Sequence, residues 1–351
     1  MLSQDRYERY PADALKRFCE ECFVRAGLLP DHAKIIAEHL ITANLRGVDS
    51  HGVIRIPYYL EGLERGYVKP RSEIKVLSET ALSAILDGGD LLGIIVATKA
   101  TDLAIRKARS SKVSLVGARR LGHVGMLAYY TRRIAKEGFI GFACANCPSR
   151  VAPWGGAERI FGTNPISIGI PVNGGNPIVI DMATSAIAAF KINVALRQGK
   201  SIPPNSALTR DGKPTRDPRE ALEGVLLPFG GHKGYAIGLL VEVLSSAFIG
   251  GLVSWKTIDH ASTQGGFLVA AVDPEIFRTR EEYSSDIQEI IRKVKGCRVA
   301  EGFSEILLPG EPEDRTYEAR LREGIPLDPE TVKALRDVAR RLGIEFPRRM
   351  G

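Results

Sequence analysis

A hydroxyl stands beside an imidazole, Ser50-His51, in the stretch Asn44–Tyr59 (NLRGVDSHGVIRIPYY), with Gly47 and Gly52 on either side. Arg46 and Arg55 flank the pair, and Tyr58 and Tyr59 follow. A proton-transfer group, a hydroxyl and two guanidinium forks so close together are what an acidic hydroxy or keto compound requires: one group moves the proton and a fork holds the carboxylate. The same residues would also make a plain helix corner with a satisfied histidine, and the stretch by itself leaves both open.

His123 is a second imidazole of interest, in GHVGMLAYY (122–130). Placed between a strand and a helix, it would feel the positive end of that helix. The imidazolium is disfavoured there and the pKa falls, which suits a group that loses and regains a proton near neutrality. A helix-capping histidine is the alternative. Three glycine-rich corners follow: Gly155-Gly156, Gly162-Thr163-Asn164-Pro165 and Gly230-Gly231-His232-Lys233-Gly234. Each can turn backbone N–H groups toward a phosphate, and the last adds a helix start and the charge of Lys233; each can equally be only a turn. Asp181-Met182-Ala183-Thr184-Ser185 ends a strand and opens a helix, where Thr184 or Ser185 also serves as an N-cap. No G-x-G-x-x-G follows any strand and no Walker-type loop occurs, so a dinucleotide would not be held by a Rossmann turn.

The elements that must position these residues alternate. Helical periodicity covers Pro11–Ala26 and Asp31–Arg46, and a third short helix contains Tyr58, Leu60 and Leu63. From Ile74 strands enter: Ile74–Leu77 and Ala81–Leu86, then an Asp87-Gly88-Gly89 turn before a helix Leu91–Arg109. Val113–Gly117 is a strand, Gly122-His123 opens a helix through Glu137, and Ile140–Ala145, Ile166–Ile170 and Ile178–Ile180 are strands. Gln198–Glu220 is rich in Pro, Asp, Arg and Lys and reads as an ordered surface loop. Lys233–Phe248 is a helix apolar nearly all round and therefore buried. Phe267–Val272 and Ile306–Leu308 are strands, Glu282–Val294 a helix, and Pro329–Leu342 an amphipathic helix able to return to the amino-terminal ones. The pattern implies an α/β fold with a three-layer mixed sheet. It divides into a mainly helical domain, 1–75 plus 312–351, carrying Ser50-His51, and an α/β domain, 76–311.

Composition narrows the class. The 351 residues are 44% hydrophobic and 25% charged, ordinary for a globular enzyme of two domains. The net charge of +7 is spread among 41 acidic residues with no long basic run, which favours a small anionic substrate over nucleic acid. With no signal-like segment and no apolar run of membrane length, the expected place is the cytoplasm. Five cysteines make no disulfide framework. The C-x-x-C pairs Cys19/Cys22 and Cys144/Cys147 lie in helix and strand patterns far apart in sequence, so no metal is expected. A hydrolase is disfavoured because adjacent Ser50 and His51 do not face each other and no nucleophile elbow surrounds the serine.

Five motifs in order, NLRGVDSHGVIRIPYY, GHVGMLAYY, FGTNPISIGIP (161–171), IVIDMATS (178–185) and LPFGGHKGYAIGLLVEVL (227–244), resemble the malate/L-lactate dehydrogenase family, from about residue 5 to 345. This is a non-Rossmann group of nicotinamide-dependent oxidoreductases that includes sulfolactate and ureidoglycolate dehydrogenases and reductases of cyclic imino acids. The resemblance implies hydride transfer between NAD or NADP and C2 of a small 2-hydroxy/2-keto acid, or an imine. By motif, His123 matches the proton donor/acceptor and Ser50 and His51 a paired relay. Arg55 matches a holder of the substrate carboxylate, and Thr184 a residue near the substrate. Asn146 and Cys147, Asp181, Met182 and Ala183, Lys233, and the run Pro309-Gly310-Glu311 match cofactor contacts. Cys147 departs by standing where a hydroxyl is usual, His232 stands where an aromatic is common, and the loop 203–211 lacks a tryptophan. Family members are commonly homodimers, and the apolar surface of the amino-terminal helices and of Gly234–Phe248 agrees with a homodimer.

Overall fold

The computed structural model describes residues 7–197 and 199–350. The chain begins with a short strand, β1 (Glu8–Tyr10), followed by helices α1 (Ala12–Arg25), α2 (Pro30–Leu45) and α3 (Ile56–Glu64). Strands β2 (Lys75–Glu79) and β3 (Ser83–Leu91) form a hairpin, and α4 (Gly93–Ser111) crosses to β4 (Val113–Leu121). Then come α5 (Ala128–Lys136), β5 (Ile140–Asn146), β6 (Ile166–Ile170), β7 (Ile178–Met182) and α6 (Ala189–Arg197). A small lobe holds β8 (Ala207–Leu208), β9 (Pro214–Thr215), α7 (Pro218–Glu223) and β10 (Val225–Leu226). The rest is α8 (His232–Ser245), β11 (Gly266–Val272), α9 (Arg280–Lys295), α10 (Glu311–Glu323), β12 (Ile325–Leu327) and α11 (Pro329–Leu342).

The main sheet has seven strands in the order β2-β3-β4-β11-β5-β6-β7; only β3 and β4 run parallel, joined by the α4 crossover. β11 lies at the centre, pairing along its length with both β4 and β5, and its run GFLVAAV is almost wholly buried, as a strand covered on both faces must be. α4 and α5 pack on one face and α8 on the other, which makes three layers. The core is continuous from α1, α2 and α3 through the sheet to α11, and includes Leu15, Phe23, Ile36, Leu40, Val116, Val269 and Leu335. Burying Tyr10, Tyr59 and Tyr130 alone removes on the order of 150–250 Å² each from water. β1 pairs with β12, Glu8 opposite Leu327, so the two ends of the chain close on each other.

Six expectations change. No helix opens at Asp181–Ser185: α6 begins only at Ala189, so neither Thr184 nor Ser185 is its N-cap. The Asp87-Gly88-Gly89 run is part of β3, not a turn: the register with β4 slips between Asp87 and Leu91, and Asp87 and Asp90 both pair with Arg120. A Cβ at Gly88 would meet Val96 and the Arg120 carbonyl at 2.8 Å, so the glycine permits close approach within a bulge. α5 begins at Ala128, not at Gly122-His123, and 122–127 is a loop. Residues 199–220 are no surface loop. With α6, β10 and Val151 they build a lobe whose own apolar core contains Ile192, Ile202, Ala207 and Leu226; Gln198 lies outside the described residues. Ile306–Leu308 is not a strand. Nor is α8 buried all round: Leu239, Leu240 and Val243 are 40%, 50% and 45% exposed, and Phe248 beyond its end 59%. No helix among the described residues is long and apolar enough to cross a membrane.

Candidate active site

The Ser50-His51 corner is locked from three sides. Gly47 ends α2 in the left-handed region (φ 78°), and Asp49 to His51 make one 3₁₀ turn. The Asp49 carboxylate accepts from Asn44 Nδ2 (2.7 Å) and from both Nη atoms of Arg320 on α10 (2.7 and 3.0 Å). Asn44 Oδ1 in turn accepts the Val53 N–H at 2.8 Å, and a Cβ on Gly52 would lie 2.2 Å from that side chain, so only glycine fits there. The loop carrying His123 is held just as firmly. Gly122 N donates to Leu91 O and His123 N to Ser262 O, and the buried His39 accepts the Met126 N–H through Nε2 at 2.9 Å.

These anchors bring His51 and His123 together as stacked rings, 5.3 Å between centroids and 8° between planes. Behind them Tyr59 Oη lies 2.7 Å from His123 Nδ1. Burial pushes the Tyr59 phenol well above its usual pKa, so it stays protonated. Burial holds His51 and His123 well below 6.5, and the nearby Arg55 charge and the neighbouring imidazoles add to the effect. The cause is desolvation and a cation, not the helix end, since α5 starts too late to act on His123. A phenol donating to Nδ1 leaves the imidazole proton on Nε2; the phenol oxygen can equally accept, so either tautomer is supported.

Arg55 faces this pair. Its Nε donates to the Ser50 carbonyl at 2.6 Å, and among the described residues no carboxylate pairs with its Nη groups. A guanidinium fixed at one edge and without a carboxylate partner at the other is able to receive one. Arg46, the second fork of the motif, is corrected to a structural role: it is buried and bound to Asp314 at 2.5 Å and to the Gly310 carbonyl. Ser50 enters through its carbonyl; its hydroxyl makes no hydrogen bond to His51, whose buried Nδ1 is unpartnered.

The residues matched to cofactor contacts divide between surface and interior. Asp181 is exposed, accepts the Ala128 N–H at 2.9 Å, and is pushed up to about 7 chiefly by desolvation from the protein around it. Met182 is 41% exposed beside it at the end of the edge strand β7. Pro309 O accepts the Val179 N–H, Gly310 packs on Val179, and Glu311, held to about 2 chiefly by Lys295, also binds Arg315. Thr184 is buried; its hydroxyl hydrogen goes to the Thr163 and Asn164 carbonyls (3.1 Å each), so it holds a corner and offers a substrate no free donor. Asn146 is wholly internal, its amide bound to Glu242, Leu252 O and Gly266 N. Its side chain is therefore taken up by the protein, and the sulfur of the adjoining Cys147 accepts from Gln264 and Thr163. The Cys19 and Cys22 pair lies inside the apolar core of α1.

The dinucleotide that the resemblance implies brings two phosphates, and Lys233 is the residue matched to them. Lys233 is exposed at the start of α8 with no acidic partner among the described residues, behind Gly230 and Gly231 at φ 54° and 64°. Phe229 N donates to Thr184 O, which ties that helix start to the Asp181–Thr184 corner. An unpaired ammonium at a helix amino end beside an open edge strand fits an anion.

Known proteins resemble the chain along nearly its whole length. The family model described as malate/L-lactate dehydrogenase matches residues 10–336. The chain belongs to that family. L-sulfolactate dehydrogenase of Methanocaldococcus jannaschii is 37% identical over 349 residues, 99% of this chain and 98% of the relative. Malate dehydrogenase of Pyrococcus horikoshii is 37% identical over 354 residues, 97% of each chain. Among solved structures, malate dehydrogenase from Entamoeba histolytica superposes with a TM-score of 0.93 at 28% identity, covering 97% of this chain and 100% of that one. As a member of this dehydrogenase family the chain is an oxidoreductase acting on a CH–OH group.

Proposed function

We propose that this protein moves a hydride between NAD or NADP and C2 of a small 2-hydroxy/2-keto acid of the malate, lactate or sulfolactate type. The observation that carries this is the stacked His51–His123 pair, with Tyr59 behind it and the unpaired Arg55 fork in front. A bound nicotinamide would supply the hydride. The chain manages everything else. Arg55 holds the carboxylate with its Nη pair and so orients C2. In oxidation the neutral His123 takes the hydroxyl proton on Nε2, while its Nδ1–H is donated to Tyr59 Oη. Reduction runs the same step backwards: the protonated His123 gives its Nε2 proton to the C2 oxygen as negative charge develops there and is left neutral. The substrate carboxylate offsets the Arg55 charge and makes the imidazole a better base at the moment it is needed.

Lys233, with the α8 amino end, would hold the cofactor phosphates, and the Asp181–Ala183 edge and the 309–311 loop would line its path. The helical part formed by 1–75 and 312–351 presents Ser50-His51 to the cofactor part, 76–311. The exposed apolar residues of α8 and those that follow it in the chain, Phe248, Leu252 and Trp255, support a homodimer, since an interface would cover them. The cytoplasm is the compartment in which such a chain with free cysteines would work.

Trp154 makes the test direct. It is 57% exposed and its ring would lie 2.9 Å from a Cβ on Gly231, just ahead of Lys233. Adding NADH or NADPH should quench tryptophan fluorescence, and a panel of 2-keto acids should then consume nicotinamide absorbance. No quenching with either cofactor, or turnover only with a cyclic imine or an alcohol lacking a carboxylate, would refute the reading.

A further inference from the structure

α8 carries one charged residue on its inner face, Glu242, which is 3% exposed. Among the described residues no cation pairs with it. Instead its two oxygens collect the Ser254 N–H (2.7 Å) and Asn146 Nδ2 (3.1 Å) on Oε1, and the Ser254 hydroxyl (2.5 Å) and Asn164 Nδ2 (2.8 Å) on Oε2. A buried carboxylate is costly unless donors surround it, so a helix otherwise so apolar would not keep it for packing alone. The two asparagines are its reach. Asn146 precedes Cys147 and fixes the end of β5 through Gly266 N. Asn164 sits at φ 35°, accepts the Cys147 N–H, and offers its carbonyl to the Thr184 hydroxyl. Asn164 Nδ2 also donates to Gly238 O, one turn before Glu242 on the same helix that begins at Lys233.

We infer that Glu242 is the positioning residue of the cofactor cleft. From one carboxylate it fixes the Asn146-Cys147 end, the Asn164–Thr184 corner and the helix of Lys233 relative to one another. This rests on the proposed nicotinamide cofactor. The geometry makes the role separable from folding. In Glu242→Gln the amide oxygen must face the Ser254 N–H, which can only donate, so Oε1 keeps Ser254 and Asn146. The new Nε2 then faces Ser254 Oγ, which can turn and accept, but it meets Asn164 Nδ2 donor to donor. One tie is lost and the side-chain volume is retained.

The experiment compares cofactor Kd, by tryptophan quenching with NADH and NADPH, with melting temperature and with KM for the keto acid at saturating cofactor. Glu242→Gln should raise cofactor Kd about tenfold, the factor that 1.4 kcal/mol of lost preorganisation represents, with KM for the acid within about twofold. Val241→Ala, the neighbouring buried position, should lower the melting temperature through a cavity while leaving cofactor Kd unchanged. Should Glu242→Gln fail to fold, Asn164→Gly cuts the same tie from the other end at a φ glycine accepts, with the same rise expected. A cofactor Kd within about twofold of wild type, or one that rises equally in Val241→Ala, would overturn the inference. Wild type that binds neither cofactor would instead remove the proposed function beneath it.

Discussion

Replacing Arg55 with alanine separates two effects that the proposed function assigns to one side chain. Its Nε is occupied by the Ser50 carbonyl, so the Nη pair is what remains for a carboxylate. Losing that bidentate, charge-assisted contact should cost about 3 kcal/mol, or roughly a hundredfold in kcat/KM for a 2-hydroxy acid. The second effect is on protonation. The Arg55 charge is the largest influence after burial holding His51 and His123 below 6.5, so its removal lets both rise. Oxidation requires a neutral His123, and the acidic limb of kcat/KM should therefore move to higher pH in Arg55→Ala. Arg55→Lys keeps the charge without the fork: it should retain the wild-type limb yet lose most of the kcat/KM. The assay is kcat/KM against pH for all three proteins, with a 2-hydroxy acid and its uncharged amide. Equal losses on acid and amide, or a limb that does not move, would refute the placing of Arg55.

Acid should loosen the fold through the same histidines. His39 is lowered to about 3 by burial, and His51 and His123 lie well below 6.5. Below 6.5 the unfolded chain binds protons that the folded one refuses, so stability falls as pH falls, by about 1.4 kcal/mol per pH unit for each group once well under 6.5. Asp181, raised to about 7, works in the opposite direction but faces solvent, which weakens its part. The urea midpoint should drop steeply between pH 7 and pH 5, and a flat midpoint would contradict neutral buried imidazoles. Lys233→Ala should weaken cofactor binding about ten- to a hundredfold and leave KM for the acid alone; an unchanged cofactor Kd would reduce Lys233 to a helix-end residue.

Where side-chain pattern alone decides structure, the sequence is sufficient. α11 is Pro329–Leu342 as its apolar spacing requires, with Asp328 capping it, and β6 is Ile166–Ile170. It is insufficient where one residue pattern serves two geometries. Asp-Gly-Gly makes a turn or a bulge, and which one is set by Arg120, thirty or more residues away. The 199–220 segment looks polar because its apolar residues, Ile202 and Ala207, are few and find partners at Ile192 and Leu226. The candidate site divides likewise. His51, His123 and Arg55 are visible as motifs, and folding brings them together. Tyr59 is adjacent in the same motif, but its role depends on a contact across 64 positions. Glu242 was hidden by the apolar run around it, although a lone carboxylate in such a helix is the one signal that could have exposed it.

In the proposed function His123 handles the proton while other residues hold the cofactor and acid, and His123→Ala tests that division most directly. Its kcat should fall about a hundredfold or more, since a positioned acid–base contributes on the order of 10²–10⁴. Cofactor Kd measured by tryptophan quenching should stay within about twofold of wild type. A variant keeping more than about a tenth of wild-type kcat, with the acid bound normally, would contradict the account.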